Sequence, residues 1–90
     1  MFETRDDFVH ALIDFIDELV GARQGVGAVN IDAATPLFQS AIIDSLGILD
    51  LLAFVERATG RPVPIRKVDM RFFGTVDRIA NAFWSEVAKP

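Results

Sequence analysis

The sequence contains no cysteine and only one histidine, and these two shortages limit its chemistry. Without cysteine, the chain has no disulfide, no thiolate metal ligand and no thiol nucleophile. His10 lies among acids in a segment predicted to be helical, so we expect it at the surface. We therefore predict no catalytic residue, no metal site and no enzymatic activity, with a small hydrolase built on Ser45 and His10 as an alternative.

Long apolar runs and an excess of basic residues are also missing. No window approaches the roughly 20 consecutive apolar residues that a membrane-spanning helix requires. The first ten residues carry acids where a signal peptide carries bases. The net charge of −4 argues against general nucleic-acid binding, which requires a basic surface. We therefore expect a cytoplasmic chain that binds neither a membrane nor nucleic acid.

The charges that are present are unevenly distributed. Residues 1–50 contain nine acids and two bases, whereas residues 51–90 contain four acids and seven bases. The basic half could bind an acidic partner, although such charges more often keep a surface hydrated.

Apolar residues recur at helical spacing in three parts of the chain. The first helix is predicted from Asp7 to about Val20, with Asp6 or Asp7 as its cap. The second is predicted from about Ser45 to Ala58, ending at Thr59-Gly60. The last begins after Thr75, which is expected to cap it. Its apolar face consists of Val76, Ile79, Ala80 and Phe83.

The connections between these helices also carry structural signals. The stretch Thr35-Pro36-Leu37-Phe38 predicts a turn whose last two residues anchor it in the core. A short helix is expected from about Arg66 to Met70, after two prolines. No segment alternates with the period of two that is typical of a strand. With 90 residues and 51% apolar composition, the chain is predicted to form one domain over residues 1–90. Its fold class is predicted to be all-α: a small four-helix bundle of three main helices and a short third one.

Asp44 and Ser45 place an acid and a hydroxyl side by side where the second helix is predicted to begin. Either residue could simply cap the helix by accepting backbone N–H bonds. A second interpretation is compatible with the first. A phosphate esterified to Ser45 would be stabilised there, because the first N–H groups and the positive end of the helix dipole favour an anion.

The stretch "DAATPLFQSAIIDSLGILDLLAFVERATGRPVP" resembles the centre of the acyl and peptidyl carrier proteins, which bind phosphopantetheine. The family motif is Asp-Ser-Leu at the start of the second helix, here Asp44-Ser45-Leu46. The preceding Thr-Pro-Leu-Phe turn, the proline-rich exit from the second helix and the final "TVDRIANAF" helix match as well. The resemblance extends over almost the whole chain.

The resemblance implies a carrier and not an enzyme. Ser45 would receive 4′-phosphopantetheine from coenzyme A through a separate Mg²⁺-dependent phosphopantetheinyl transferase. The thiol of this arm would hold an acyl or aminoacyl group as a thioester. In the family, the acid before the serine assists the transferase and the leucine after it lies on the recognition surface. The other residues expected to be exposed for recognition are Gly47, Asp50, Ala53, Phe54 and Arg57. For Phe54, a place in the core remains open.

Carriers of fatty acid synthesis usually have a strongly acidic second helix, and this sequence departs from that pattern. It is most similar to freestanding aminoacyl carriers of polyketide and nonribosomal peptide biosynthesis. The expected partners are an adenylating ligase and an acyltransferase or synthase, with the carrier as a monomer. A carrier of simple acyl chains is one alternative. A helical adaptor that binds its partner without an arm is another.

Overall fold

A computed structural model of the chain describes residues 2–24, 31–38, 43 and 47–87. Within these ranges the chain forms four α-helices and no β-strand: α1 (Arg5–Gln24), α2 (Gly47–Thr59), α3 (Met70–Phe73) and α4 (Val76–Phe83). Two 3₁₀ turns, Ile65–Lys67 and Trp84–Glu86, precede α3 and follow α4. The prediction of an all-α fold with a short third helix is confirmed.

The first turn of α1 is closed by a reciprocal pair of side-chain hydrogen bonds. The backbone N–H of Asp7 donates to the Thr4 hydroxyl oxygen at 3.1 Å, and the N–H of Thr4 donates to the Asp7 carboxylate at 3.3 Å. This is a capping box in which an aspartate replaces the usual glutamate or glutamine. The prediction that Asp6 or Asp7 is the cap is therefore wrong: Thr4 is the cap and Asp7 is its partner. The helix also runs beyond its predicted end at Val20.

The core collects apolar side chains from all four helices and from the segment before α2. Helix α4 packs against both α1 and α3, so it connects these two helices. Burying one such side chain contributes about 1.5–3 kcal/mol. The largest fully buried side chains are Phe8, Leu12, Ile16, Leu37, Leu51, Val55, Phe73, Val76 and Ile79.

Residues 31–38 include the stretch predicted as a turn and attach it to the helices. The N–H of Thr35 donates to the carbonyl of Asp32 at 3.3 Å, which closes a turn over residues 32–35, and a second turn follows at residues 37–38, within the predicted stretch. Leu37 is fully buried and Phe38 packs against the core, so both predicted anchors are confirmed. The N–H of Leu37 donates to the carbonyl of Gly74 at 2.9 Å. This bond ties the segment to the junction between α3 and α4.

The junction itself requires a glycine. A Cβ atom added to Gly74 would lie 2.6 Å from the carbonyl oxygen of Met70, closer than real side chains come. A second bond, from the N–H of Asp77 to the carbonyl of Ala33 at 2.9 Å, fixes the start of α4 to the same segment. The turn before α2 and the start of α4 are therefore held together as one corner.

The chain between α2 and α4 differs in part from its prediction. Gly60 ends α2 as expected, with a φ of 72° that favours glycine. The short helix predicted at Arg66–Met70 is wrong in position, since the structure has a 3₁₀ turn at Ile65–Lys67 and then α3. The cause is Asp69, whose extended backbone interrupts the helix and whose carboxylate accepts the N–H of Arg71 to cap α3.

The last helix forms as predicted. The hydroxyl oxygen of Thr75 accepts the N–H of Arg78 at 3.1 Å, so Thr75 is the cap of α4. All four residues of the predicted apolar face are buried: Val76, Ile79, Ala80 and Phe83.

Candidate functional site

The site predicted from the sequence lies at the start of α2. Three of its residues, Asp44, Ser45 and Leu46, fall outside the residues that the structure describes. The first residue of α2 is Gly47, two positions after Ser45 and two positions after the predicted helix start. The structural observations therefore concern the helix that follows the motif and the surfaces on its two sides.

Gly47 is buried, so the prediction that it is exposed is wrong. The reason is its phase on the helix. Gly47 precedes Leu51 and Val55 by four and eight residues, and both are fully buried. Residues four apart share a helix face. The start of α2 thus turns the backbone of Gly47 toward the interior.

The other predicted recognition residues form one face of α2. Ala53 and Arg57 are exposed, and Asp50 is half-buried. Together with Phe15, Glu18 and Leu19 of α1, these three residues line an open groove of about 430 Å³. The lining of the groove combines apolar side chains with charged ones of both signs. The structure therefore brings Asp50, Ala53 and Arg57 together on one groove, and it places α1 beside them.

For Phe54 the sequence left two places open, the recognition surface and the core, and the structure shows an intermediate one. Its side chain is half-buried, and its ring centre lies 4.8 Å from that of Phe15 and 6.4 Å from that of Phe2. It also lines a second surface cleft of about 310 Å³, with Phe2, Arg57 and Ala58. Phe54 therefore packs against Phe15 of α1, and part of its side chain remains exposed.

The opposite side of α2 carries an apolar cleft that the sequence did not indicate. The cleft has a volume of about 240 Å³ and opens beside Ile48, the second residue of α2. The available signal was the pair Val68 and Met70, two apolar residues among charged neighbours, which the sequence placed in a short helix without assigning a role. The complete lining is Phe38, Ile48, Val68, Asp69, Met70 and Phe73.

Leu49 lies in the first turn of α2, and 61% of it is exposed. Each residue advances the helix by about 100°, so Leu49 points away from Leu51, which is fully buried. The start of α2 therefore presents an apolar side chain outward, close in sequence to Ser45.

The charged groups near the cleft include one tightly bonded pair. The carboxylate of Asp69 accepts a hydrogen bond from the Arg71 guanidinium at 2.9 Å. This bond, helped by the N–H of Arg71, lowers the pKa of Asp69 below its ordinary value of 3.8 despite some desolvation. The same bond raises the pKa of Arg71. Asp69 therefore remains a carboxylate in neutral solution, at the rim of an apolar cleft.

Two features that would bear on metal binding or membrane insertion are absent from the part of the chain that the structure describes. No cluster of three or more His, Asp or Glu side chains there could hold a metal ion. None of the helices within the described ranges is long and apolar enough to cross a membrane. His10 is exposed on α1.

Comparisons with known proteins add no relative. No protein-family model, no curated protein and no solved structure matches the chain. The site must therefore be interpreted from its own residues.

Proposed function

We propose that the chain is a carrier protein that holds an aminoacyl or acyl group as a thioester on a 4′-phosphopantetheine arm at Ser45. The motif Asp44-Ser45-Leu46 carries the proposal, because it stands directly before a helix that begins at Gly47. The positive end of a helix dipole favours a phosphodiester at such a position. The order of one long helix, the motif helix, a short helix and a capped last helix is the order that a carrier requires.

The arm would supply the sulfur chemistry that a chain without cysteine lacks. In the proposed loading step, the Ser45 hydroxyl oxygen bonds to the pantetheine-bearing phosphorus of coenzyme A. The pyrophosphate bond breaks, adenosine bisphosphate leaves, and a base of the transferase takes the hydroxyl proton. Asp44 would assist this transferase and Leu46 would contact it. The apolar cleft beside Ile48 offers a place where part of an acyl group could avoid water.

For the subtype, the proposal is a carrier of amino-acid-derived units for polyketide or nonribosomal peptide biosynthesis. Its support is the mixed charge around α2: Asp50 lies in the same groove as Arg57, and Leu49 and Ala53 present apolar surface. A partner that recognises a uniformly acidic helix would find little to bind. The adenylating ligase and the acyltransferase or synthase would instead rely on apolar contacts with this face.

The test is a change of intact mass. The chain is incubated with coenzyme A, Mg²⁺ and a promiscuous phosphopantetheinyl transferase, and its intact mass is then measured by mass spectrometry. The wild type should gain one phosphopantetheine, and Ser45→Ala should gain none. Ser85→Ala, which changes an exposed serine of the last 3₁₀ turn, is the matched control and should gain the same mass as the wild type. If the wild type gains nothing, Ser45 is not an attachment site.

A helical adaptor remains the second candidate, and the exposure of Leu49 favours it. An adaptor would bind its partner through α2 alone. Its partner binding should then survive in Ser45→Ala and decrease in Leu49→Ser, whereas a carrier loses all transfer activity with the serine.

A further inference from the structure

The segment between α2 and α3 exposes an isoleucine almost completely. Ile65 is 90% exposed, more than any other large apolar side chain in the described part of the chain. Its neighbour Arg66 is also exposed, and Met70, five residues later, is 40% exposed. Single exposed apolar residues are common on protein surfaces. The surroundings of Ile65 are what make this one informative.

The backbone on both sides of Ile65 is held firmly. The N–H of Val63 donates to the Glu56 carboxylate at 2.9 Å, which fixes the segment to α2. The N–H of Lys67 donates to the carbonyl of Pro64 at 2.9 Å, and the N–H of Val68 donates to that of Ile65 at 3.0 Å. Ile65 is therefore exposed by an ordered turn.

Two further restraints reduce the freedom of this turn. Pro62 and Pro64 fix their own φ angles just before Ile65. The side chain of Lys67 is turned inward, with its ammonium nitrogen 5.4 Å from the centre of the Phe83 ring and 3.8 Å from the carboxylate of Glu86. An apolar side chain presented by a restrained backbone loses little conformational entropy when a partner covers it.

The charge around Ile65 is opposite to that of the whole chain. Residues 61–71 contain four bases and one acid, whereas the chain as a whole has a net charge of −4. The one acid, Asp69, is bonded to Arg71. Arg61 is largely exposed and lies at the distance limit of an ion pair with Glu86, 3.9 Å. Among the residues that the structure describes, Arg66 has no ion-pair partner. Three exposed arginines, Arg61, Arg66 and Arg71, therefore lie within six residues of the projecting Ile65.

We propose that this Ile65 surface, the exposed side chains of Arg61, Ile65, Arg66, Met70 and Arg71, docks a protein that presents an amphipathic helix with an apolar face bordered by acidic residues. The apolar face would cover Ile65, and the acids would meet the arginines and steer the approach. A membrane surface is a poorer match, because interfacial binding needs a broad apolar face and this surface presents one narrow projection. The inference uses no residue of the motif at 44–46, so it does not depend on the proposed arm.

The test uses the whole chain, isotopically labelled for NMR, and a synthetic amphipathic helical peptide of leucine and glutamate as the probe. The acidic peptide should shift the amide signals of Ile65, Arg66 and Met70, and its binding should weaken as salt is added. A matched peptide with lysine in place of glutamate should leave these signals unchanged. Vesicles of phosphatidylcholine and phosphatidylglycerol in equal parts provide the lipid comparison.

Variants separate the apolar and the charged contribution. Ile65→Ser and Arg66→Glu should each weaken peptide binding at least about 5-fold, the effect expected of a central interface residue. Ile65→Val and Arg66→Lys keep the apolar group and the charge, so they should bind like the wild type. His10→Glu adds an acid at an exposed position of α1 that is not part of the Ile65 surface, and it should change binding little. Circular dichroism should show the same helix content in every variant, because these side chains are exposed.

Four results would overturn the proposal. Amide shifts on other faces of the chain would place the peptide elsewhere, and equal binding of both peptides would remove the role of charge. Vesicle binding that is lost in Ile65→Ser would assign the surface to lipid. Shifts of the same signals on raising the protein concentration without peptide would show that a second copy of the chain covers it.

Discussion

Residues 60–71 and 74–83 are adjacent in sequence but have opposite relations to solvent. None of residues 60–71 is buried, whereas five of residues 74–83 are buried. The later segment contains α4, which packs on α1 and α3. The earlier one presents Ile65, the most exposed large apolar side chain described. Apolar side chains of residues 74–83 thus pack in the core, whereas those of residues 60–71 stay at least partly exposed to solvent.

The two segments nevertheless have similar backbone order. Each contains the start of a helix and the residue that caps it, Asp69 for α3 and Thr75 for α4. Each also has turns closed by backbone hydrogen bonds. Backbone bonding therefore does not require side-chain burial. Residues 74–83 can therefore stabilise the fold while residues 60–71 form an ordered but exposed surface. Substitutions in each segment test this difference.

The largest effect is expected from Ile79→Ala in α4. Ile79 is fully buried, so the substitution removes apolar contacts and leaves a cavity, which should lower the free energy of unfolding by about 2–5 kcal/mol. Urea denaturation followed by circular dichroism measures the change. Ile65→Ala is the matched control in the outer segment, and it should change the same quantity by less than about 0.5 kcal/mol. Equal losses in the two variants would show that the segments do not differ as described.

A smaller loss is expected from Thr75→Ala. The Thr75 hydroxyl accepts the N–H of Arg78 at the start of α4, and loss of such a cap costs about 1 kcal/mol. Thr75→Ser keeps the hydroxyl and should restore most of the stability in the same urea experiment. If the serine variant is as unstable as the alanine variant, the methyl group of Thr75 matters more than its hydrogen bond.

Sequence patterns predicted the inner parts of the fold better than the outer ones. The spacing of Val76, Ile79 and Phe83 predicted α4 because these residues contact one continuous core, and periodicity reports such contact directly. Leu37 and Phe38 were correctly predicted as anchors too, because two apolar residues follow the proline of a predicted turn.

The errors arose where local polar bonding decides the structure. Asp69 divides the predicted third helix by capping a new turn, and Thr4 caps α1 in place of the predicted aspartates. An apolar residue also does not reveal from its type alone whether it packs inside, as Leu51 does, or projects outward, as Leu49 does. At the candidate site, grouping Asp50, Ala53 and Arg57 on one face was possible from helical spacing. The cleft beside Ile48 was not, because three separate segments form it.

The smallest effect is expected from the charge of Asp69 in the outer segment. The Arg71 guanidinium lowers the pKa of Asp69 below 3.8, so the carboxylate favours the folded state. That contribution is complete above the pKa of the unfolded chain and disappears as the pH falls through the lower pKa of the folded chain. Asp69→Asn retains a capping oxygen without the charge. The variant should be slightly less stable than the wild type at neutral pH, and the difference should vanish in acid.

NMR titration of the Asp69 carboxyl carbon measures the lowered pKa of this side chain directly. Its midpoint should lie below 3.8 in the wild type and move upward in Arg71→Gln, because the glutamine cannot replace the charged hydrogen bond. Arg78→Gln removes another exposed arginine, whose guanidinium donates to the carbonyl of Met70 and not to Asp69. This control should leave the midpoint unchanged. An equal upward shift in both variants would mean that the general positive charge of the segment, and not the bond to Arg71, sets the pKa of Asp69.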